Sequence, residues 1–179
     1  MPKKALFLDR DGTIIIDTDY PDDPKKVAFL PGTIEALRMI QKEYELIVIS
    51  NQSGVGRGLI TPEQFNAVHE QFVKMVKSVN IEITETYYCP HAPEEMCECR
   101  KPSPKMILDA AEKHDIDLSS SYMIGDKMSD VIAGRRAGCM TILIAPSGKP
   151  KSGRLDEKYD GLTASGLNEA VKQIISGRG

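Results

Sequence analysis

The chain has 179 residues, of which 41% are hydrophobic and 27% are charged, and its formal net charge is −3. This length fits one domain spanning residues 1–179, because a single core serves chains of up to about 250 residues. The composition excludes a disordered chain, a generic nucleic-acid binder and, with no apolar stretch of roughly 20 residues, a membrane-spanning helix. We therefore expect a cytoplasmic monomer without nucleic-acid or membrane partners.

Short apolar runs alternate with helical patterns along the chain. The predicted strands are Ala5–Leu8, 46–50, 83–88, 121–124 and Met140–Ile144, with an edge strand near 161–164. The predicted helices are 33–42, 61–79, 103–114, 127–137 and 168–175, and residues 146–153 have the composition of a surface loop. Thr61, Pro62 and Gln64 form the pattern of a helix start with a capping box. The alternation predicts an α/β fold, a Rossmann-like three-layer α/β/α sandwich around a central parallel sheet.

Acidic residues follow two of the predicted strands. Asp9 and Asp11 stand at the end of the first strand, and Asp126 follows the fourth. The carboxyl ends of parallel strands meet at one edge of the sheet, where ligands of such folds bind. A carboxylate there binds a hard cation such as Mg²⁺ or attacks an electrophile, and a second one nearby is kept protonated by like-charge repulsion. Taken singly, Asp9 and Asp11 also fit a polar turn, and Asp126 fits a helix N-cap.

Groups suited to phosphate follow the second strand and precede the third helix. Ser50 and Asn51 offer a hydroxyl, an amide and backbone N–H groups. Lys101 offers a point charge, and Arg100 offers a fork that grips phosphate oxygens in pairs. Each feature alone is also common in ordinary loops. Their recurrence at successive strand ends favours a phosphate site.

Three of the four cysteines lie close together with a histidine. The set is Cys89, His91, Cys97 and Cys99. Its pattern, C-x-H-x₅-C-x-C, predicts a closed structural Zn²⁺ site made of three thiolates and one imidazole. Unliganded thiols and a disulfide are the alternatives, although a C-x-C pair makes a poor disulfide and leaves the histidine without a role. We expect this zinc loop, about residues 89–101, to stiffen the segment that carries Arg100 and Lys101, and we expect Cys139 to pack in the core.

Together the motifs resemble those of the haloacid dehalogenase-like (HAD) phosphatase superfamily over roughly residues 4–145. The matching positions are Asp9 and Asp11, Ser50, Lys101, and Asp126 with Asp130. The resemblance implies that Asp9 is the nucleophile and Asp11 the acid–base residue, and that Ser50 and Lys101 stabilise phosphate charge. It also implies Mg²⁺ held by Asp9, the Asp11 carbonyl and Asp126. We expect Asp130 to orient Lys101 or a metal-bound water, and the short gaps between motifs to leave no room for a cap domain.

A narrower resemblance comes from the segments LDRDGT, SNQSGVGRG, CPH, CECRKP and GDKMSD. They look like the D-glycero-D-manno-heptose 1,7-bisphosphate 7-phosphatase family, which implies that the C7 phosphate of this small phosphorylated sugar is hydrolysed through an aspartyl-phosphate. Histidinol-phosphate phosphatases are the alternative, because the five residues between His91 and Cys97 are also typical of them. A mutase of the same superfamily would also use both aspartates, but it would normally carry a cap that excludes water. A zinc-stabilised binding module, in which the aspartates are idle, is the remaining interpretation.

The resemblance also implies a set of substrate contacts. They are Asp9, Arg10, Asp11, Asp17, Thr18, Asp19, Tyr20, Ser50, Asn51, Gln52, Ser53, Arg100, Lys101 and Lys127. We further expect Arg100, together with Arg57, to hold the second phosphate, because a bisphosphate needs a cationic partner beyond Mg²⁺ and these arginines lie nearest the motifs.

Overall fold

A six-stranded parallel sheet forms the centre of the computed structural model, which describes residues 2–146 and 159–177. Its strands are β1 (Ala5–Leu8), β2 (Glu45–Asn51), β3 (Glu85–Cys89), β4 (Tyr122–Gly125), β5 (Met140–Ile144) and β6 (Leu162–Ala164). Their order is β3-β2-β1-β4-β5-β6, and every neighbouring pair is parallel. The direction of winding reverses between β1 and β4, so the crevice outside their carboxyl ends is the expected ligand site of the fold.

Helices cover both faces of the sheet. They are α1 (Thr33–Ile40), α2 (Ser53–Gly56), α3 (Pro62–Ser78), α4 (Lys105–His114), α5 (Met128–Ala137) and α6 (Leu167–Ile175). Buried side chains of α1, α3 and α6 pack with one face of the sheet, and those of α4 and α5 pack with the other. The predicted three-layer α/β/α sandwich is confirmed.

Local sequence explains the best-defined elements. All four residues of β1 are buried, as an uninterrupted apolar run predicts for a central strand covered on both sides. The capping box at the start of α3 is present: the Thr61 amide donates to Gln64 Oε1 at 2.8 Å, and the Gln64 amide donates to Thr61 Oγ1 at 3.2 Å. Cys139 is buried among the side chains of the α4–α5 face, and burial raises the pKa of its thiol to about 12.

Several predicted boundaries shift by one or two residues. Strand β3 starts at Glu85, where its pairing with Ile47 begins, although the apolar pattern starts at residue 83. Helix α4 starts at Lys105, because the preceding residues form a turn in which the Ser103 amide donates to the Arg100 carbonyl at 2.9 Å. The short helix α2 was not predicted. The predicted loop 146–153 lies outside the described residues beyond Pro146.

The connection between β1 and α1 contains no inserted domain. It consists of loop segments, two isolated β-bridges and one turn of 3₁₀ helix, Pro24–Lys26. Within residues 2–146 and 159–177 no inserted cap domain is present, as expected. None of the described helices is long and apolar enough to cross a membrane.

Candidate active site

Three aspartates meet where β1 and β4 end. Asp9 follows β1, Asp126 follows β4, and Asp130 lies in the first turn of α5; all three are buried. One carboxylate oxygen from each lies within 4.8 Å of the others. The close approach is possible because residue 125 is a glycine, since a side chain there would overlap the Asp130 carboxylate. The sheet therefore brings together residues more than a hundred positions apart.

Lys101 places a buried positive charge among these carboxylates. Its Nζ lies 2.8 Å from Asp9 Oδ1 and 2.6 Å from Asp130 Oδ1, and it donates to the Ile49 carbonyl at 2.7 Å. Burial alone would lower the pKa of Lys101, but Asp130 and Asp9 raise it, so the ammonium stays charged. Asp130 also accepts from the Lys127 amide at 3.0 Å. Asp130 thus contacts Lys101, one of the two partners expected for it.

Asn51 holds the backbone of Lys101 in place. The Asn51 side chain donates to the Lys101 carbonyl at 3.1 Å and accepts from the Lys101 amide at 3.0 Å. These paired hydrogen bonds tie the end of β2 to the loop before α4. The side-chain amide expected to bind phosphate is therefore engaged with Lys101, and its phosphate contact stays a prediction.

The Asp11 carboxylate, in contrast, accepts hydrogen bonds from two neighbouring side chains. Arg10 donates to both Asp11 oxygens, at 3.0 Å and 3.1 Å, and Gln52 donates to Asp11 Oδ2 at 2.7 Å. The same Gln52 nitrogen lies 2.7 Å from Ser50 Oγ. Burial raises the pKa of Asp11, the Arg10 charge opposes this, and the net pKa is raised. A raised pKa suits a general acid.

A cleft of about 320 Å³ opens beside these groups. It is lined by Asp11, Asp17, Asp19, Tyr20, Pro21, Asn51, Gln52, Ser53, Gly54, Ile60, Arg100, Lys101, Lys127 and Ser129. Most of the predicted substrate contacts are therefore gathered in one place. The lining residues do not include Asp9, Arg10, Thr18, Ser50 or Arg57. Arg57 lies 3.8 Å from Glu94 instead. Of the two arginines expected to hold a second phosphate, Arg100 lines the cleft, and its phosphate contact stays a prediction.

The acidic cluster has the chemistry of a magnesium site. Mg²⁺ prefers oxygen ligands and is bound through one or two carboxylates plus phosphate oxygens and waters. Asp9, which pairs with Lys101 through Oδ1, and Asp126 supply such carboxylates. Asp130 contacts Lys101 through Oδ1 and the Lys127 amide through Oδ2. The side chain of Asp11 is turned to Arg10, so Asp11 can contribute only its carbonyl, and that ligand stays a prediction.

The four zinc candidates also come together. Cys89 Sγ lies 3.4 Å from Cys97 Sγ and 3.0 Å from Cys99 Sγ, and His91 Nδ1 lies 3.5 Å from Cys89 Sγ and 3.4 Å from Cys99 Sγ. A tetrahedral ion with Zn–S bonds of about 2.3 Å requires donor separations of about 3.8 Å, close to these values. None of the cysteines is in a disulfide. The donor set fits Zn²⁺.

Hydrogen bonds connect the cysteine–histidine cluster to the cleft. The Cys89 carbonyl accepts from the Gln52 amide at 2.7 Å, and the His91 carbonyl accepts from Arg100 at 3.3 Å. The Gly56 amide donates to the Pro90 carbonyl at 2.8 Å, and a side chain at Gly56 would overlap the Pro90–Ala92 backbone. The loop thus packs on α2 and fixes the position of Arg100.

Comparison with known proteins agrees with this site. The HAD-hydrolase-like family model matches residues 98–169. The D-glycero-beta-D-manno-heptose-1,7-bisphosphate 7-phosphatase of Salmonella typhi is 36% identical, with 94% of this chain and 95% of that protein covered. The enzyme of the same name from Helicobacter pylori (strain J99 / ATCC 700824) is 45% identical over 75% of this chain and 78% of its own length. The chain belongs to the heptose-bisphosphate phosphatase family of the HAD superfamily.

Solved structures of the heptose-bisphosphate phosphatase family share this fold. The D,D-heptose 1,7-bisphosphate phosphatase from B. bronchiseptica, complexed with magnesium and phosphate, aligns with a TM-score of 0.82 and 29% identity, covering 97% of this chain and 99% of that one. The recognition made from the motifs is confirmed. The chain therefore joins a family whose structure has been solved with magnesium and phosphate bound.

Some residues of this family site were not found from the sequence. Ser129 and Ile60 line the cleft although neither was singled out. Ser129 lies two residues after Lys127 in the first turn of α5, so its spacing from the fourth motif was the available signal. Ile60 carries no chemistry that distinguishes it, and only the turn after α2 brings it to the cleft.

Proposed function

We propose that this protein is a Mg²⁺-dependent phosphatase that removes the C7 phosphate from D-glycero-D-manno-heptose 1,7-bisphosphate and leaves heptose 1-phosphate. The observation that carries the proposal is the contact of Asp9 with buried Lys101 at 2.8 Å, beside Asp11 and the cleft. The names of the curated relatives support the heptose substrate, and in its beta form, over histidinol phosphate.

Asp9 attacks the phosphorus atom, and the bond from phosphorus to the sugar oxygen breaks as the aspartyl-phosphate forms. Asp11 gives its proton to the departing oxygen. Lys101 and the Ser50 hydroxyl stabilise the negative charge on the phosphate oxygens. When bound by Asp9, Asp126 and the Asp11 carbonyl, Mg²⁺ would screen the repulsion between the carboxylate and the phosphate.

In the second half of the reaction, Asp11 is ionised and accepts a proton from a water molecule. That water attacks the aspartyl-phosphate, inorganic phosphate leaves, and Asp9 is regenerated. Asp130 keeps Lys101 in position through its ion pair of 2.6 Å. Asp9 and Asp11 therefore act in both the formation and the hydrolysis of the aspartyl-phosphate.

Arg100 holds the second phosphate, the one that remains on the sugar. It lines the cleft and is braced by the His91 carbonyl. Lys127, whose pKa is raised by Asp9, Asp126 and Asp17 against the effect of burial, stays charged at the same cleft. Asp17, Asp19, Tyr20, Gln52 and Ser53 line the remaining wall and contact the sugar or its phosphates.

The cysteine–histidine cluster binds Zn²⁺ as a structural ion, since four protein ligands leave no position for substrate. The protein acts as a single capless domain and a monomer in the cytoplasm, where the heptose precursor of lipopolysaccharide is made.

Phosphate release with Mg²⁺ tests the substrate. The panel is both anomers of the heptose bisphosphate, histidinol phosphate and fructose 1,6-bisphosphate. The highest kcat/KM is expected for the beta heptose bisphosphate. A preference for histidinol phosphate overturns the proposed substrate and leaves the mechanism intact, whereas no phosphate release from any compound overturns the phosphatase itself.

A further inference from the structure

Arg10 stands between the two aspartates of the first motif, yet its side chain does not reach the cleft. It is 1% exposed and is not among the residues that line the cleft. Its guanidinium lies 5.9 Å from the centre of the Phe65 ring of α3. A buried guanidinium is retained only where its charge is paired, because its desolvation is otherwise uncompensated. The pairing partner in this structure is Asp11.

The hydrogen bonds to Asp11 are distributed unequally between its two oxygens. Oδ2 accepts from Arg10 Nε at 3.0 Å and from Gln52 Nε2 at 2.7 Å. Arg10 Nη2 lies between the two oxygens, 2.9 Å from Oδ2 and 3.1 Å from Oδ1. Each carboxylate oxygen has two lone pairs. Within the described part of the chain, Oδ2 therefore has both lone pairs engaged, and Oδ1 keeps one for another partner.

We propose that Arg10, assisted by Gln52, is a positioning residue that fixes the Asp11 carboxyl group so that Oδ1 is the oxygen that exchanges a proton with the leaving group and with water. The inference rests on the proposed phosphatase function, and it replaces the substrate contact that the family resemblance implied for Arg10. Gln52 also bonds Ser50 Oγ, so the same amide aligns the acid and a phosphate-binding hydroxyl.

The proton transfer from Asp11 determines which substrates are slowed when Arg10 is replaced. As the bond between Asp9 and phosphorus forms and the bond from phosphorus to the leaving oxygen breaks, the proton moves from Asp11 Oδ1 to that oxygen, and Asp11 becomes a carboxylate beside Arg10. A sugar alkoxide needs this proton because it is a poor leaving group. A 4-nitrophenolate leaves without it.

The test is the transient phase of the reaction in the Mg²⁺-loaded protein with two substrates, heptose bisphosphate and 4-nitrophenyl phosphate. In Arg10→Met, leaving-group release from the sugar substrate is expected to slow by roughly 100-fold or more. In Gln52→Met, the same release is expected to slow by roughly tenfold. In Arg10→Met, release of 4-nitrophenolate is expected to stay within about threefold of the unsubstituted protein, because only the proton transfer is impaired. Arg10→Lys keeps the positive charge and loses the forked pair of donors. Its rate of leaving-group release from the sugar substrate is expected to lie between those of Arg10→Met and the unsubstituted protein.

Arg38→Met is the matched control, since Arg38 also donates through Nε and Nη2, but to the Val79 carbonyl on the protein surface. Equal slowing of both substrates, or a raised KM at unchanged kcat, overturns the positioning role. If Arg10→Met fails to fold in a thermal melt, Arg10→Lys decides by the same ratio. An unsubstituted protein that releases no phosphate from either substrate instead contradicts the proposed function.

Discussion

The acidic–lysine cluster, formed by Asp9, Lys101 and Asp130, and the cysteine–histidine cluster hold their ionisable side chains together in different ways. Asp9, Lys101 and Asp130 are buried, come from three separate parts of the chain, and neutralise one another in part. The sulfur and nitrogen donors lie within eleven consecutive residues, Cys89 to Cys99, and three of the four are partly exposed. The first cluster is assembled by the sheet, whereas we expect the second to depend on a metal ion for its own order. Each prediction below tests this contrast.

The largest effect on activity is expected from replacing Asp9, the proposed nucleophile in the buried cluster. Asp9→Asn removes the nucleophile, so kcat for phosphate release should fall by at least about 10⁴-fold. The fold should persist, because the amide is isosteric and one like charge is removed from the cluster. Phosphate release and a thermal melt measure the two properties. Activity close to that of the unsubstituted protein would exclude Asp9 as the nucleophile.

Lys101→Met should damage both stability and activity. It leaves Asp9 and Asp130 buried without the ammonium that they share, and breaking a buried ion pair in this way costs about 3 kcal/mol. We expect the free energy of unfolding in urea to fall by that amount, and kcat to fall by about 100-fold. Lys105→Met is the control: Lys105 pairs with Asp109 on the surface, and its loss should change stability by less than about 0.5 kcal/mol. Equal effects in the two variants would contradict the contrast between buried and exposed pairs.

Removal of zinc should disturb the structure of the cysteine–histidine loop more than that of the central sheet. Cys97→Ser, or chelation of the ion, is expected to lower Tm by about 5 °C, which for this size corresponds to roughly 2 kcal/mol. Activity should fall with it, because Arg100 and Gln52 are held by the carbonyls of His91 and Cys89. Metal analysis of the purified protein should find zinc, and the control Cys139→Ser should retain it. Full activity in zinc-free protein would show that the loop needs no ion.

The smallest effect concerns the second phosphate. Arg100→Ala should raise KM for heptose bisphosphate by about tenfold, as expected for a lost charge-assisted contact, and should change KM for a sugar monophosphate little. Arg57→Ala should change neither, since Arg57 faces Glu94. Steady-state kinetics on both substrates separate these cases. If Arg100→Ala weakens both substrates equally, the second phosphate lies elsewhere.

Much of this site was predictable because the fold is a parallel sheet. Apolar runs identify the strands, and the carboxyl ends of parallel strands must share one edge, so Asp9, Lys101 and Asp126 could be assigned to one crevice. The cysteine–histidine pattern was predictable for a different reason, since all its donors lie within one short loop. Both predictions use only local periodicity or local spacing.

The partners of the site residues were not predictable in the same way. Gln52 reaches Asp11 across 41 positions, and Asn51 clamps Lys101 across 50. The sequence alone determined which strands and longer helices form, which residues carry chemistry and which family they resemble, because burial leaves a periodic pattern and motifs have fixed spacing. Only the tertiary structure decided that Arg10 serves Asp11 and that Asp130 pairs with Lys101, because side-chain contacts depend on the strand order and on how neighbouring strand ends pack.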